Sequence, residues 1–420
     1  MSSYLYVVKN LKGESETGTI EAKDKVEVAR GLRRQGFVPV TIELKGGGKT
    51  KNFGGGGGFL QYLLRFDVNR VLDSIRGVSL TDKIMFSRHL AVMVSAGVSL
   101  NRALEVLSRQ TKNISFQNAI SSVEMGIRKG ERIADAIEKY PKIFDNLYVS
   151  MVRSGDATGK LTEVLELLAD HLKKEHDLRS RIKGALMYPS VIVVAMGGIG
   201  ALMMTMVVPK ISAIFLDLDV DLPFLTTVVI NTSNFIRDYW YIVFGSVPIF
   251  LFLFKKSAST KKGKKFLSGA FLKIPVLNGI TRKINSARFS RTLSSLVEGG
   301  VPILKSIIIT RDTLGNVYYR ESMDKVHKDV QQGTSLYEAI SKFENIYPGL
   351  IVQMVRVGEE SGALGSVLNR IAEFYEEEVD NATKNLSSIV EPVLMLIIGA
   401  VVGVFAVSMI QPMYSIMGNV

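Results

Sequence analysis

Residues Phe289 to Pro392 repeat residues Phe86 to Pro189 at a constant shift of 203 positions, without a gap. Phe86-Ser87-Arg88 falls on Phe289-Ser290-Arg291, and Gly97-Val98 on Gly300-Val301. Gly130 meets Gly333, Met151-Val152-Arg153 meets Met354-Val355-Arg356, and Gly155, Gly159 and Leu161 meet Gly358, Gly362 and Leu364. A register held over this distance means one structural unit used twice, which constrains the fold before any local propensity does. Each copy runs into a long apolar stretch, so the unit is a polar helical module followed by a membrane helix.

Within a copy the pattern is helical. Ser79 with Asp82 makes a capping box, Gly97 closes the first helix, and Asn113, Gly130 and Tyr140-Pro141 mark later breaks. Apolar residues recur at helical spacing, as in Leu161, Val164, Leu165 and Leu168. The most distinctive short pattern is Gly155-Asp156-Ala157-Thr158-Gly159-Lys160-Leu161, repeated as Gly358-Glu359-Glu360-Ser361-Gly362-Ala363-Leu364. It predicts a helix ending at the first glycine, a polar turn, and a hydroxyl from Thr158 or Ser361 capping the next helix. This is a structural corner of a bundle; the sharper alternative is partner docking through the carboxylate of Asp156 or Glu359. Gly97 and Gly300 read as helix turns.

Three apolar stretches are expected to span a bilayer. Residues 188–208 carry no charge and match the thickness of the hydrocarbon core, with Pro189 expected in the first turn of the span. Residues 239–254 form a shorter one, opened by Tyr239-Trp240-Tyr241 at the interface, and 392–417 form the third. Gly197 and Ala201 in the first span, and Gly399 and Gly403 in the third, are small residues that let helix backbones pack closely. Residues 209–238 read as a periplasmic loop carrying Asp217, Asp219, Asp221 and Asp238, whereas Lys255 to Arg291 contains no acidic residue at all. The positive-inside rule therefore puts the lysine-rich side, both bundles and the N-terminus in the cytoplasm. No Asp, Glu, Lys, Arg or His lies inside the spans, which removes the usual mark of an ion pathway.

The predicted organisation is an all-α membrane protein. Its two tandem cytoplasmic bundles occupy 59–187 and 255–391, and three transmembrane helices accompany them. A small N-terminal α/β module covers 1–45, with strands at Tyr4–Val8 and Phe37–Leu44 around a helix over Lys25–Gln35. A Gly-rich linker, 46–58, follows; its Gly48-Lys49-Thr50 imitates the end of a P-loop but has Glu43 where the first glycine belongs. Residues 59–79 are amphipathic and suited to packing on the bundle. No signal peptide is expected at the N-terminus. With no cysteine there is no disulfide framework or thiol nucleophile, and His89, His171, His176 and His327 are too dispersed for a metal site and read as solvated. No nucleophile elbow, HExxH or paired-carboxylate pattern occurs, so the chain reads as non-enzymatic and without a cofactor. The net charge is +12, and the basic run Lys261 to Lys265 lies next to a span without interleaved aromatics; anionic lipid is its expected partner and nucleic acid is not. Lys173-Lys174 aligns with Glu376-Glu377, and both pairs read as exposed stretches of opposite charge.

On these residues the chain resembles the inner-membrane platform proteins of type IV pilus assembly and type II secretion, the PilC/GspF family. The resemblance rests on the Phe86 and Phe289 motifs, the two glycine-acidic corners, and Tyr188-Pro189 ahead of the first span. The second copy departs from it with Glu391-Pro392, and the first with Ser154-Gly155-Asp156. The resemblance implies a homo-oligomeric platform that couples a hexameric assembly or retraction ATPase to pilin or pseudopilin subunits, alongside other inner-membrane assembly proteins. A parallel-repeat transporter and a membrane-anchored signalling adaptor are the readings of other classes; the uncharged spans argue against the former. A reporter fused after Asp219 is expected outside the inner membrane and one fused after Lys264 in the cytoplasm. A cytoplasmic signal from the Asp219 fusion would overturn the three-span topology.

Overall fold

The computed structural model of the protein describes residues 2–9, 15–22, 28, 31–32 and 38–44, then 77–217 and 222–418. The N-terminal part and the remainder form two separate units. In the first, β1 (Ser2–Lys9), β2 (Ser15–Ala22) and β3 (Val38–Leu44) make an antiparallel sheet in the order β2-β1-β3. Tyr4 stands opposite Ile20 on one side and Leu44 on the other. The strand β2 was not expected: its Ser, Thr, Gly and Glu residues hide it from a hydrophobicity argument. The expected helix over 25–35 lies mostly outside the described residues, although its apolar Val28 and Leu32, one turn apart, are buried. The Gly-rich linker and residues 59–76 also lie outside them.

The second unit is helical and built twice. In the first copy α1 is Leu80–Ser95, α2 Leu100–Gln110, α3 Ile114–Arg128, α4 Ile133–Glu138, α5 Asn146–Thr158, and α6 Leu161–Leu202. A wide π-turn, Met203–Val207, joins α6 to α7 (Val208–Asp217), followed by α8 (Phe224–Asp238), α9 (Trp240–Ser259) and α10 (Lys261–Lys273). The second copy is α11 (Pro275–Glu298), α12 (Ile303–Thr313), α13 (Val317–Gln331), α14 (Leu336–Ser341), α15 (Gly349–Glu360) and α16 (Leu364–Gly418). The shift of 203 carries α2, α3 and α4 onto α12, α13 and α14 residue for residue at both ends. The reason is local. Asn113 accepts the N–H of Phe116 and its counterpart Asn316 that of Tyr318, so the same side chain starts α3 and α13. The six glycines with left-handed backbone fall into three pairs at that shift: Gly97 and Gly300 (φ 81° and 73°), Gly130 and Gly333 (88° and 92°), Gly159 and Gly362 (71° and 69°). Each ends a helix in a conformation that a Cβ would strain.

The cores repeat as well. Phe86, Phe116 and Phe144 pack with ring centroids 5.4–6.2 Å apart, and Phe289, Tyr319 and Tyr347 occupy the same three places. The two added phenols are buried and find partners, Tyr319 donating to the Ile346 carbonyl and Tyr347 meeting the Ser322 hydroxyl at 3.2 Å. In the first copy it is Tyr148 that carries a buried hydroxyl, 2.8 Å from Ser87; burial raises its pKa. Ile351 stands in its place in the second copy, and the hydroxyl of Ser290 there has no partner among the described residues.

Among the described residues three helices are long and apolar enough to cross a membrane: α6 continued through α7 to Phe215, α9, and α16. The prolines expected to open two of the spans do not mark helix starts. Pro189 lies inside the 42-residue α6 and Pro392 inside the 55-residue α16, so in each copy the last bundle helix runs on into the apolar segment without a joint. Each proline gives up one backbone hydrogen bond, a loss a long helix tolerates where its neighbours continue the ladder. Residues 209–238, read as a loop, are largely helical. The first turns of α7 and one face of α8 pack with α16 around Val208, Val229, Ile230 and Met409, and Thr226 donates to the Ser408 carbonyl at 2.6 Å. Ser233 donates to the carbonyl of Met204 in the π-turn, where the widened helix leaves an acceptor free.

The close approach of α5 to α6, and of α15 to α16, depends on Gly155 and Gly358. A Cβ on Gly358 would lie 3.0 Å from the Leu364 Cα and 3.3 Å from the Val367 Cβ, and on Gly155 it would meet the equivalent Leu161 and Val164. Gly358→Ala is expected to destabilise the chain by about 1–3 kcal/mol through overpacking. Gly349→Ala, which meets nothing within 4 Å, should change little. Thermal unfolding of the two variants in detergent checks this, and equal midpoints would contradict it.

Candidate functional site

The two glycine-acidic corners differ from the expected geometry in the same way. Helix α5 continues past Gly155 to Thr158, and α15 past Gly358 to Glu360; the chain turns at Gly159 and Gly362 instead. Thr158 and Ser361 do not cap the following helix. Their hydroxyls donate backwards, to the Ser154 carbonyl at 2.8 Å and the Val357 carbonyl at 2.7 Å, and complete the helix they belong to. The first glycine is thus a contact point and the second a turn.

The corner carboxylates then part company. Glu359 accepts the backbone N–H groups of Leu336 and Tyr337 at 2.8 and 3.0 Å, and so caps the N-terminus of α14. Asp156, one methylene shorter, is exposed and makes no hydrogen bond or ion pair among the described residues. Around it Arg153 reaches Glu138 at 2.6 Å and Asp135 at 2.9 Å, and these hydrogen bonds raise its pKa. The equivalent Arg356 turns to Glu360 at 2.7 Å and lies over the ring of Tyr337, again with a raised pKa caused chiefly by the carboxylate. One skeleton therefore presents two surfaces: a free acid beside a neutralised arginine in the first copy, and a sealed corner in the second.

The bundles meet along a seam that the sequence hid. Leu296, Val301 and Ile309 of the second copy are part of the buried core of the first. Beside them Arg291 grips Glu376 with both ends of its guanidinium, at 2.7 and 3.1 Å, and also reaches Asn369. Both partners of the pair are about six-sevenths buried, at 13% and 14% exposure. Lys174 of the first copy approaches the same carboxylate at 3.4 Å. One turn along, Glu175 holds Arg288 at 3.1 Å and Arg179 at 2.6 Å, and Arg181 approaches Asp380 at 3.6 Å.

Lys174 and Glu376, read as exposed charges of two unlike faces, are thus brought together; only Lys173 and Glu377 remain exposed. His171, read as solvated, is buried in this seam with Nδ1 3.1 Å from the Ser295 hydroxyl. The charge reversal between copies is complementarity across the seam. A signal for it was present, since residues equivalent within a repeat and opposite in sign are suited to face one another.

In the apolar segments, a Cβ built on Gly197, Gly399 or Gly403 would meet nothing within 4 Å, and Ala201 is half-buried. These small residues are not brought together within one chain.

The family model described as type II secretion system (T2SS), protein F matches residues 86–209 and again 289–412, the same two segments at the same shift, and its N-terminal domain model matches 1–43. The chain belongs to the type II secretion system protein F family. Among its relatives are proteins named type IV pilus assembly protein PilC. The one from Myxococcus xanthus is 32% identical over 100% of this chain and 96% of its own length; that from Thermus thermophilus is 33% identical over 100% and 99%. A protein named type II secretion system protein F from Xanthomonas campestris pv. campestris is 30% identical over 99% of both chains. This member of the protein F family is a multi-pass membrane protein with tandem helical repeats.

Glu376→Lys leaves Arg291 and Lys174 facing a like charge in a half-closed seam. It is expected to destabilise the protein by about 3–5 kcal/mol, the cost of stranding one partner of a buried pair. Glu377→Lys, on the exposed side, should fall within about 0.5 kcal/mol. Denaturant unfolding of both variants in detergent provides the comparison; similar losses would mean that the seam is not held by Glu376.

Proposed function

We propose that this chain is a non-enzymatic platform of the bacterial inner membrane, coupling a cytoplasmic secretion ATPase to the insertion and extraction of pilin subunits in type IV pilus assembly. The observation that carries this reading is the match, end to end, to relatives named as type IV pilus assembly proteins. The equivalent platform of type II secretion is the second reading, favoured by the family's name and by the Xanthomonas relative. In the proposed arrangement both bundles and the N-terminus lie in the cytoplasm, and residues 209–238 lie in the periplasm. The asymmetric charge of Lys255 to Arg291 against residues 209–238 supports this. The first 45 residues act as a small cytoplasmic α/β module, a reading supported by the three strands and the N-terminal family match.

The corner of the first copy is the proposed docking point for the hexameric ATPase. Its Asp156 is exposed and uncommitted, whereas Glu359 is spent on capping α14. An exposed carboxylate contributes more to partner choice and association rate than to stability. The outward-facing Gly197, Gly399 and Gly403 support packing between copies or against pilin helices in the bilayer. Other inner-membrane assembly proteins and anionic lipid complete the proposed partners.

The test is co-purification of the full chain with its ATPase at low and raised salt. Asp156→Lys is expected to weaken binding several-fold, more so at low salt, without changing thermal stability. Glu359→Lys should instead lower stability by freeing the start of α14. Unchanged ATPase binding by Asp156→Lys would remove the corner from the interface.

A further inference from the structure

Where α9 ends and the second bundle begins, α10, α11 and the corner before α13 enclose a cleft of about 350 Å3. Three cationic side chains line it, Lys264, Arg288 and Arg320, and no acidic one does. Lys264 has no ion-pair partner among the described residues. Arg320 uses its Nε on the Leu314 carbonyl, at 2.5 Å, and its terminal nitrogens make no hydrogen bond among the described residues. Arg288 shares its guanidinium with Glu175 across the seam. The wall behind them is fixed by buried asparagines: the Asn316 amide donates to the Ser268 carbonyl at 3.1 Å, and its backbone N–H to Asn285 at 3.4 Å.

Comparison with the first copy shows that this charge is not needed to build the fold. At the same shift Arg288 corresponds to Met85, Arg320 to Gln117 and Asn285 to Asp82, yet α3 and α13 coincide residue for residue and α1 and α11 end at equivalent positions. The position of the cleft is equally specific. Ala258, in the last turn of the apolar helix α9, is part of its lining, and Leu267 and Phe271 form its apolar side. On the neighbouring face of α10, Phe266 is 77% exposed among lysines, the composition of a helix that lies in a bilayer interface.

We propose that this cleft binds the phosphate of an anionic phospholipid headgroup, with Arg320 and Lys264 as direct contacts, Arg288 behind them, and Leu267 and Phe271 against the start of the acyl chains. A guanidinium suits a phosphate because its parallel N–H groups match two oxygens at once. A cleft of this volume holds a glycerophosphate group. The site rests on the topology proposed above, in which α10 lies at the cytoplasmic interface and meets the lipid leaflet.

The full chain, reconstituted with mixed phosphatidylglycerol and phosphatidylcholine, is examined by native mass spectrometry for retained lipid. The wild-type chain is expected to keep phosphatidylglycerol selectively. Lys264→Gln combined with Arg320→Gln should lower that retention by about fivefold or more, and Lys264→Gln alone by less, at unchanged unfolding temperature. Lys261→Gln with Lys262→Gln, on the same helix but outside the cleft, should leave it unchanged. Equal losses in the two double variants would mean diffuse attraction to the surface, and no loss in either would remove the cleft; both overturn the proposal. Displacement of the lipid by millimolar inorganic phosphate would overturn the lipid as the source of the anion. Lipid retention in micelles does not depend on membrane side, so a failed topology, read from the reporter fusions, is distinguishable from a failed site.

Discussion

At the contact between the two bundles lies one buried ion pair of the second copy, Arg291 with Glu376, which a lysine of the first copy joins. Removing two charges from water costs several kcal/mol per ion, and the cost is recovered only with good geometry and satisfied hydrogen bonds. Here the guanidinium is bidentate, Asn369 takes a further N–H, and Lys174 supplies a second cation to the same carboxylate. Such a cluster is poor at adding stability and good at excluding alternatives. With Leu296, Val301 and Ile309 inserted in the first core, α6 lies against α16 in the register that brings Lys174 to Glu376 and Arg181 to Asp380. The apolar contacts hold the bundles together, and the ions select how.

Much of this was legible in the sequence because it is local. The shift of 203 positions, the turns at Gly97 and Gly130, and the break at Asn113 all act within a few residues of where they stand, and each recurs in the second copy. What could not be read is what one copy does to the other. His171 and Lys174 sit on helix positions that look solvated within a single bundle, and only the packing of the second bundle buries or pairs them. Gly155 misled for a related reason: a glycine in a polar turn motif predicts a helix end, but here it accommodates Leu161 and Val164 of the next helix. The helix α8 was missed because four aspartates lie in residues 209–238 and drew attention to charge, while its own buried positions, Thr226, Val229, Ile230 and Ser233, follow helical spacing.

The duplication also shows how a repeat is free to divide its work. The core positions keep their size and place, with phenylalanine exchanged for tyrosine where a hydroxyl can be satisfied. The surface positions change sign or role: Asp156 is open where Glu359 is occupied, and the cleft beside α10 is basic where the first copy has Met85 and Gln117. The scaffold is selected twice for the same packing and separately for what each surface meets.

The continuity of α6 and α16 has a mechanical consequence. At 1.5 Å per residue the 55 residues of α16 make a rod of roughly 80 Å, anchored at one end in the bundle and at the other beside α8. A rod of that length tilted by about 5° moves its far end by roughly 7 Å, more than one helical turn. Because the helix runs on through Pro392 where its surface changes from polar to apolar, a small rotation of its bundle end is also a displacement of the far end of the same helix. The ionic seam joins α6 to α16 through Lys174 with Glu376 and Arg181 with Asp380, ahead of both apolar segments.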